Sequence, residues 1–203
     1  MPNVPPRGLR PLALAAVAAL MLATAPAGAA VIRYATDLNG TQATPRNTSP
    51  GNGTALAEID DAAHTMRLVI TFQDLLGATT AAHVHGPTPT PGSGSAQTMT
   101  PVPSLPGFPL GATAGTYDRT FDLTSASSYN PDFIAASGGT VADAEAALVG
   151  GFAEGRVLFN LHTEAYVTGE ITGFFGAGTV PTEAVTWSDL QSWYGPAAPS
   201  AVR

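Results

Sequence analysis

Three of the four histidines in this sequence occur in two short segments whose composition is typical of β-strands. His83 and His85 flank a single valine, and His162 follows Asn160 by two positions. Successive side chains of a strand point to opposite faces, so each pair shares one face and the apolar neighbours take the other. If the two strands are neighbours, three neutral imidazoles could converge on a divalent copper or zinc ion.

The same residues also fit a role that needs no ion. Histidines at the end of a strand could donate hydrogen bonds to carbonyls of the loop 86–115 and fasten it. Asn160 and Glu170 fit either interpretation, as groups that orient the imidazoles from behind or as ordinary polar residues on a solvated sheet face. The fourth histidine, His64, follows an Asp60-Asp61 turn, and we expect it to be exposed and outside any metal site.

The first thirty residues have the features of a secretory signal peptide. Arg7 and Arg10 form a basic start, residues 12–22 are an apolar run, and residues 27–30 are small enough for cleavage. The apolar run is short for a membrane span, and no later segment is long enough for one. We therefore predict an exported chain, periplasmic or extracellular, that begins near Val31 and has no transmembrane segment.

Charge and cysteine content narrow the classes of partner and site. The formal net charge of −7 becomes more negative once the two arginines of the leader are removed, and an acidic surface repels nucleic acid. There is no cysteine, so disulfides and thiolate ligands are excluded. Any metal site must use nitrogen and oxygen donors, with copper or zinc as the candidate ions.

Short alternating segments separated by Gly, Pro, Asn and Asp dominate the rest of the chain. The predicted strands are residues 32–38, 55–59, 65–72, 79–85, 116–123, 155–162 and 169–175. A turn at residues 60–63 joins the second strand to the third. Seven such strands favour an all-β antiparallel sandwich or barrel, of the immunoglobulin-like or superoxide-dismutase-like Greek-key type.

One helix is predicted over residues 141–152, before the penultimate strand. Thr140 is its expected N-cap and Asp143 completes a capping-box pattern. The pair Gly150-Gly151 weakens or ends this helix.

Two stretches lie outside the strand framework. Residues 86–115 are rich in Pro, Gly, Thr and Ser and read as a long loop, either a functional cover or a mobile insertion. In the tail 177–203, Trp187, Leu190 and Tyr194 fall at helical spacing, which predicts a short helix docked on its own domain. Because the last predicted strand ends before this tail, we expect the domain to fold without it.

The order of several motifs resembles the chordin-type (CHRD) domain family. The motifs are Leu-Asn-Gly at 38–40, apolar strands at 55–59 and 68–72, Thr-Ala-Ala-His-Val-His-Gly at 80–86, Val-Leu-Phe-Asn-Leu-His-Thr at 157–163 and Gly-Glu-Ile-Thr-Gly at 169–173. The resemblance covers residues 34–175 and implies an exported antiparallel β domain, found in bacteria and repeated in the animal chordins. Most bacterial members lack an assigned activity. The segment 88–115 is long for the pattern, and the tail after Gly176 lies outside it.

Chordins bind growth factors outside the cell, but that activity is not securely a property of this domain type and is not carried over to this chain. His83-Val84-His85 is also similar to the His-x-His copper ligands of copper/zinc superoxide dismutases. The sequence has too few histidines for the four copper ligands and the zinc site of those enzymes together, and their cysteine pair is absent, so dismutase activity is not expected.

The sequence thus predicts a signal peptide over 1–30, a CHRD-type β domain over 31–176 and a tail over 177–203. Two functions stay open: a binding or structural module for an unknown extracytoplasmic ligand or protein, without enzymatic activity, or a metalloprotein that binds copper or zinc. The second uses His83, His85 and His162 as ligands, with Asn160 and Glu170 supporting them. It requires strands 79–85 and 155–162 to lie side by side.

Overall fold

The computed structural model describes residues 31–177, which form one curled antiparallel sheet accompanied by two α-helices. The strands are β1 (Val31–Asn39), β2 (Asn52–Asp60), β3 (Thr65–Gln73), β4 (Thr79–His85), β5 (Gly115–Asp122), β6 (Leu158–Thr163), β7 (Ile171–Phe174) and β8 (Gly176–Ala177). The helices are α1 (Pro131–Ala136) and α2 (Val141–Ala153), and short 3-10 turns occur at Gly40–Gln42 and Ala126–Ser128. The predicted all-β antiparallel fold is confirmed. The predicted signal peptide and tail helix lie outside the described residues.

The strands follow the order β4-β6-β7-β1-β2-β3-β5, and β8 pairs with the first half of β1. Strands β1, β2 and β3 form consecutive hairpins. At the predicted turn the side chain of Asp60 accepts hydrogen bonds from the backbone N–H groups of Ala62 and Ala63, at 3.1 and 2.9 Å, as turn aspartates do. The chain then crosses from β3 to the opposite edge of the sheet, where β4 pairs with β6. The sheet curls into a half-barrel, with β4 at one edge and β5 at the other.

One hydrophobic core fills the inside of this curl. Alternating residues of β3, such as Leu68 and Ile70, are fully buried, as the period of a strand requires. Helix α2 covers the core through Phe152, whose ring centroid lies 5.2 Å from that of Tyr34 and 5.1 Å from that of Phe175. Burying an aromatic side chain of this size contributes about 1.5–3 kcal/mol, so α2 is part of the domain and not an appendage.

Helix α2 begins and ends close to its predicted limits. The hydroxyl oxygen of Thr140 accepts a hydrogen bond from the backbone N–H of Asp143 at 3.1 Å, which satisfies one of the free donors of the first turn. Helix α1 was not predicted. Asn130 caps it by accepting from the N–H of Asp132 at 3.1 Å, and Pro131 occupies its first position. None of the helices in residues 31–177 is long and apolar enough to cross a membrane.

The long loop 86–115 bridges the two edges of the half-barrel. On one side the N–H groups of Met99 and Leu105 donate to the carbonyls of Val84 and Ala82 on β4, at 2.8 and 3.0 Å. On the other side Tyr117 of β5 donates from its hydroxyl to the carbonyl of Pro106 at 3.2 Å. An edge strand with unpaired backbone groups is thereby covered.

The same loop also contributes to the core, since Met99, Leu105 and Phe108 are buried. Of the two predicted roles for residues 86–115, that of a cover fits and that of a mobile insertion does not.

Candidate metal centre

The pairing of β4 with β6 brings the three predicted histidines together. The strands are antiparallel, with His83 opposite Asn160 and Ala81 opposite His162. The ring centroid of His83 lies 5.7 Å from that of His85 and 5.4 Å from that of His162, and the third separation is 6.3 Å. The prediction that these strands are neighbours, with their imidazoles close together, is confirmed.

Each imidazole is fixed by a hydrogen bond to a backbone carbonyl of a neighbouring loop. The three bonds run from His83 Nε2 to Pro103 at 2.9 Å, from His85 Nδ1 to Ala96 at 3.0 Å and from His162 Nδ1 to Val167 at 2.9 Å. A carbonyl oxygen only accepts, so the bonded ring nitrogen must carry the proton. In the neutral ring the other nitrogen then carries a lone pair, which is the tautomer that a metal ligand needs.

The nitrogens left with lone pairs belong to three rings that lie close together. His83 Nδ1 and His85 Nε2 are buried without a hydrogen-bond partner, and His162 Nε2 lies 3.3 Å from the side-chain amide nitrogen of Asn160. One potential ligand atom from each histidine lies within 4.8 Å of the other two. Within residues 31–177 this is the sole group of three or more such residues close enough to hold an ion.

Burial favours the neutral form of His83 and His85. The pKa of His83 falls from 6.5 to about 4 because burial disfavours the charged ring, and the nearby His162 and His85 add to the effect. Burial also lowers the pKa of His85, although its hydrogen bond to Ala96 acts in the opposite direction. At neutral pH His83 and His85 are therefore uncharged, and one nitrogen of each ring keeps its lone pair.

Asn160 lies directly beside the cluster. It is a buried residue, its amide group donates to the carbonyl of Thr168 at 3.1 Å, and its carbonyl oxygen accepts from the hydroxyl of Thr172 at 2.7 Å. These bonds fix the side chain so that one amide hydrogen points at His162 Nε2. Gly169 makes room for this arrangement, because a Cβ there would lie 2.1 Å from the Asn160 oxygen.

Glu170 is placed differently from Asn160. Its carboxylate is fully buried and accepts four hydrogen bonds, none of which comes from a histidine. The donors are Ser49 Oγ at 2.5 Å, Leu76 N at 2.6 Å, Gly77 N at 3.3 Å and Thr163 Oγ1 at 2.6 Å. The expectation of a solvated sheet face is wrong for this residue, because β6, β7 and two loops enclose it. Glu170 joins those segments to one another and does not contact the imidazoles.

His64 lies outside the cluster, at the end of the β2–β3 turn. It has a left-handed φ of 54°, and its side chain is about half exposed, with Nδ1 2.7 Å from the carboxylate of Glu145 on α2. The hydrogen bond and the charge of Glu145 raise the pKa of His64. The exposed position predicted for His64 is observed.

Sequence reasoning missed the groups that hold the rings in place. These are the carbonyls of Ala96, Pro103 and Val167 and the hydroxyl of Thr172. A backbone carbonyl has no sequence signature of its own. The one available signal was that a long loop follows His85 directly, which predicted contact with the histidines but not the atoms involved.

The chain matches the family described as the CHRD domain over residues 34–175. No curated protein and no solved structure shows significant similarity to it. The matched range contains the three histidines and Asn160, and it ends at the residue after β7.

Proposed function

Because this chain belongs to the CHRD domain family, we propose that it is an exported binding module whose bound species is a transition-metal ion. His83, His85 and His162 are the proposed ligands, and copper and zinc are the ions that suit neutral imidazole nitrogen. Asn160 supports the site because its side chain has a fixed position beside His162. No enzymatic step is part of the proposal.

The observation that carries the proposal is the pair of buried lone pairs on His83 Nδ1 and His85 Nε2. An unsatisfied buried polar atom costs about 1–3 kcal/mol, and such atoms are rare in folded proteins. Here two of them point toward a third imidazole, and the opposite nitrogen of every ring is bonded to a carbonyl. Metal-ligating histidines have this pattern, since the outer hydrogen bond fixes the tautomer and orients the ring.

A small movement of the rings completes the site. Two nitrogens bound to one ion at about 2.0–2.1 Å are roughly 3.3–4.1 Å apart, depending on the angle between them. The ligand atoms lie within 4.8 Å of one another, so rotation of the side chains by less than an ångström at each nitrogen brings them to bonding distance. Asn160 gives up its contact with His162 Nε2 when that nitrogen binds an ion.

Export is the second part of this proposal. It is supported by the basic and apolar pattern of residues 1–30. Fractionation of cells that express the full chain, followed by N-terminal sequencing, tests it. We expect the processed protein outside the cytoplasm with its first residue near position 31. Recovery of the intact chain in the cytoplasm would contradict it.

A structural module without an ion is the competing function, and one specific observation favours it. Two of the three carbonyls bound by the histidines belong to the loop 86–115, so the imidazoles fasten the loop that closes the half-barrel. In that case the domain would bind an extracytoplasmic partner through another surface, and metal ions would not change its stability.

Melting temperatures of the exported protein, purified without a polyhistidine tag and stripped of metal, distinguish the two functions. Zinc, or copper in either oxidation state, at about a hundred times the dissociation constant should add about 2.7 kcal/mol of stability, or roughly 5–10 °C for a domain of this size. The variant His162→Ala should lose most of that gain. His64→Ala is the matched control and should keep it. Equal responses of the wild type and His162→Ala to every ion would refute the metal centre.

A further inference from the structure

We infer that the ion held by His83, His85 and His162 is monovalent copper, Cu(I). The identity of the ion rests on the metal centre proposed above. Three features of that centre separate Cu(I) from Zn(II) and Cu(II): the number of donors, the charge around them and the distances between them.

The centre supplies three protein donors. Within residues 31–177 no Asp, Glu or further His joins the three histidines at ligand distance. His83 as a whole is 8% exposed and the free nitrogens of His83 and His85 are buried, whereas the residues His85 and His162 are partly exposed. Zn(II) in proteins is almost always four-coordinate, and Cu(II) takes a tetragonal set of nitrogen and oxygen donors. Cu(I), with a filled d shell, is stable with two or three ligands.

The charge around the centre also favours a monovalent ion. The donors are neutral imidazoles, and the buried carboxylate of Glu170 is already bonded to Ser49, Thr163, Leu76 and Gly77. Burying an ionic charge without a counter-ion is costly, and in a simple continuum picture the cost rises with the square of the charge. Within residues 31–177 no carboxylate or thiolate lies at ligand distance to offset the charge of a divalent ion. Cu(I) carries half the charge.

The spacing of the donors fits a wide ligand angle. In a tetrahedral site two nitrogens bound at about 2.0–2.1 Å lie roughly 3.3–3.4 Å apart, whereas opposite ligands of a linear or T-shaped ion lie roughly 4 Å apart. The ligand atoms of the three histidines all lie within 4.8 Å of one another. Hydrogen bonds to Pro103, Ala96 and Val167 resist inward rotation of the rings. A T-shaped ion accommodates wider separations between its ligand atoms than a tetrahedral one.

The test is a set of anaerobic competition titrations of the metal-free, untagged protein. Cu(I) is titrated against a chromogenic Cu(I) chelator, and Zn(II) and Cu(II) are titrated against chelators of known affinity. We expect one Cu(I) per chain, bound at least a thousandfold more tightly than Zn(II). His162→Ala should weaken Cu(I) binding at least a hundredfold, and His64→Ala should leave it unchanged. Circular dichroism of each variant verifies that it is folded.

X-ray absorption spectroscopy of the copper-loaded wild type gives a readout that needs no variant. We expect an absorption edge typical of two- or three-coordinate Cu(I), with nitrogen atoms as the scatterers around the ion. In air this Cu(I) edge should persist longer than the edge of free Cu(I). Zn(II) or Cu(II) binding that depends on His162 and is as tight as Cu(I) binding would overturn the assignment and leave the metal centre standing. Failure of all three ions to bind would refute the metal centre itself.

Discussion

Glu170 is the buried acid that joins four separate parts of the chain, and Glu170→Gln is expected to destabilise the fold by about 3 kcal/mol. One carboxylate oxygen accepts from Ser49 Oγ at 2.5 Å and from the N–H of Leu76 at 2.6 Å. The other accepts from Thr163 Oγ1 at 2.6 Å and from the N–H of Gly77 at 3.3 Å. The Glu170 residue has no exposed surface; its bonds from Thr163 and Gly77 are buried, and those from Ser49 and Leu76 are partly buried.

The magnitude follows from what the amide cannot do. Glutamine fills the same volume but has no charge. A hydrogen bond to an ionised group contributes about 1.5–3 kcal/mol, whereas each bond that the uncharged amide keeps contributes about 1 kcal/mol. Its NH₂ group replaces one oxygen and therefore faces a backbone N–H that only donates. A hydroxyl can rotate to accept from the amide, but an N–H group cannot. A loss of about 2–5 kcal/mol results, which is a large part of the 5–15 kcal/mol that stabilises a typical domain.

Urea unfolding of the metal-free protein at pH 7 measures this loss. With a slope near 2 kcal/mol per molar urea, 3 kcal/mol moves the midpoint down by about 1.5 M. Glu164→Gln is the matched control, since Glu164 is an exposed acid in the same segment, and its midpoint should hardly move. A Glu170→Gln midpoint as high as that of the control would show that the four hydrogen bonds contribute little to stability.

The pH dependence gives an independent check with a defined sign. Burial alone raises the pKa of Glu170, but the bonds from Ser49, Thr163, Leu76 and Gly77 outweigh it and lower the pKa below the ordinary 4.5. A carboxyl whose pKa is lower in the folded chain stabilises the fold above its unfolded pKa, and the stabilisation disappears as pH falls through the folded pKa. The difference between the wild type and Glu170→Gln should therefore be constant above about pH 5 and shrink in more acidic solution. A difference that does not depend on pH would contradict the assignment.

Three further outcomes are expected. The free energy of unfolding of the metal-free protein should fall by on the order of 3 kcal/mol between pH 6.5 and pH 4. The reason is that burial lowers the pKa of His83 to about 4, so the unfolded chain takes up the proton first as the pH falls. In His83→Asn the urea midpoint should change less over this pH range. Gly169→Ala should cost about 2–4 kcal/mol, because φ is +126° and the new Cβ would meet Asn160, whereas Gly139→Ala at φ +89° has open space and should cost less in the same assay. A chain that stops after Gly176 should still melt cooperatively in calorimetry, because the family match ends at residue 175; a broad transition would contradict this.

The regular alternation of apolar and polar residues predicted the strands well. The prediction was less accurate where the backbone is irregular. The predicted strand 79–85 coincides with β4, because turn residues bound it on both sides. The predicted strand 155–162 begins three residues early, since Gly155 has a φ of +65° and belongs to the end of α2. Helix α1 has only six residues, too few for a periodic pattern, although its Asn130-Pro131 start is a known helix signal.

The candidate site likewise has one part that the sequence predicted and another that it did not. Strand parity placed His83, His85 and His162 on one face, and the pairing of β4 with β6 made them neighbours. The carbonyls bonded to His85 and His83 lie 11 and 20 residues farther along the chain, in the loop 86–115, and the carbonyl bonded to His162 lies in the β6–β7 turn. Those positions depend on how the loop 86–115 crosses from β4 to β5, which tertiary contacts decide. Other tertiary contacts bury Glu170, whose donors come from segments as far as 121 residues away.

Fastening the loop and holding an ion are compatible, because the two roles use different nitrogens of the same ring. The fastening bond uses one N–H, and an asparagine or glutamine amide could donate that bond equally well. A purely structural histidine gains nothing from a second nitrogen buried without a partner, and pays about 1–3 kcal/mol for it. His83 and His85 both have such a nitrogen, and both are aimed into the same cluster. Loop fastening accounts for one side of each ring, and the proposed ion would account for the other.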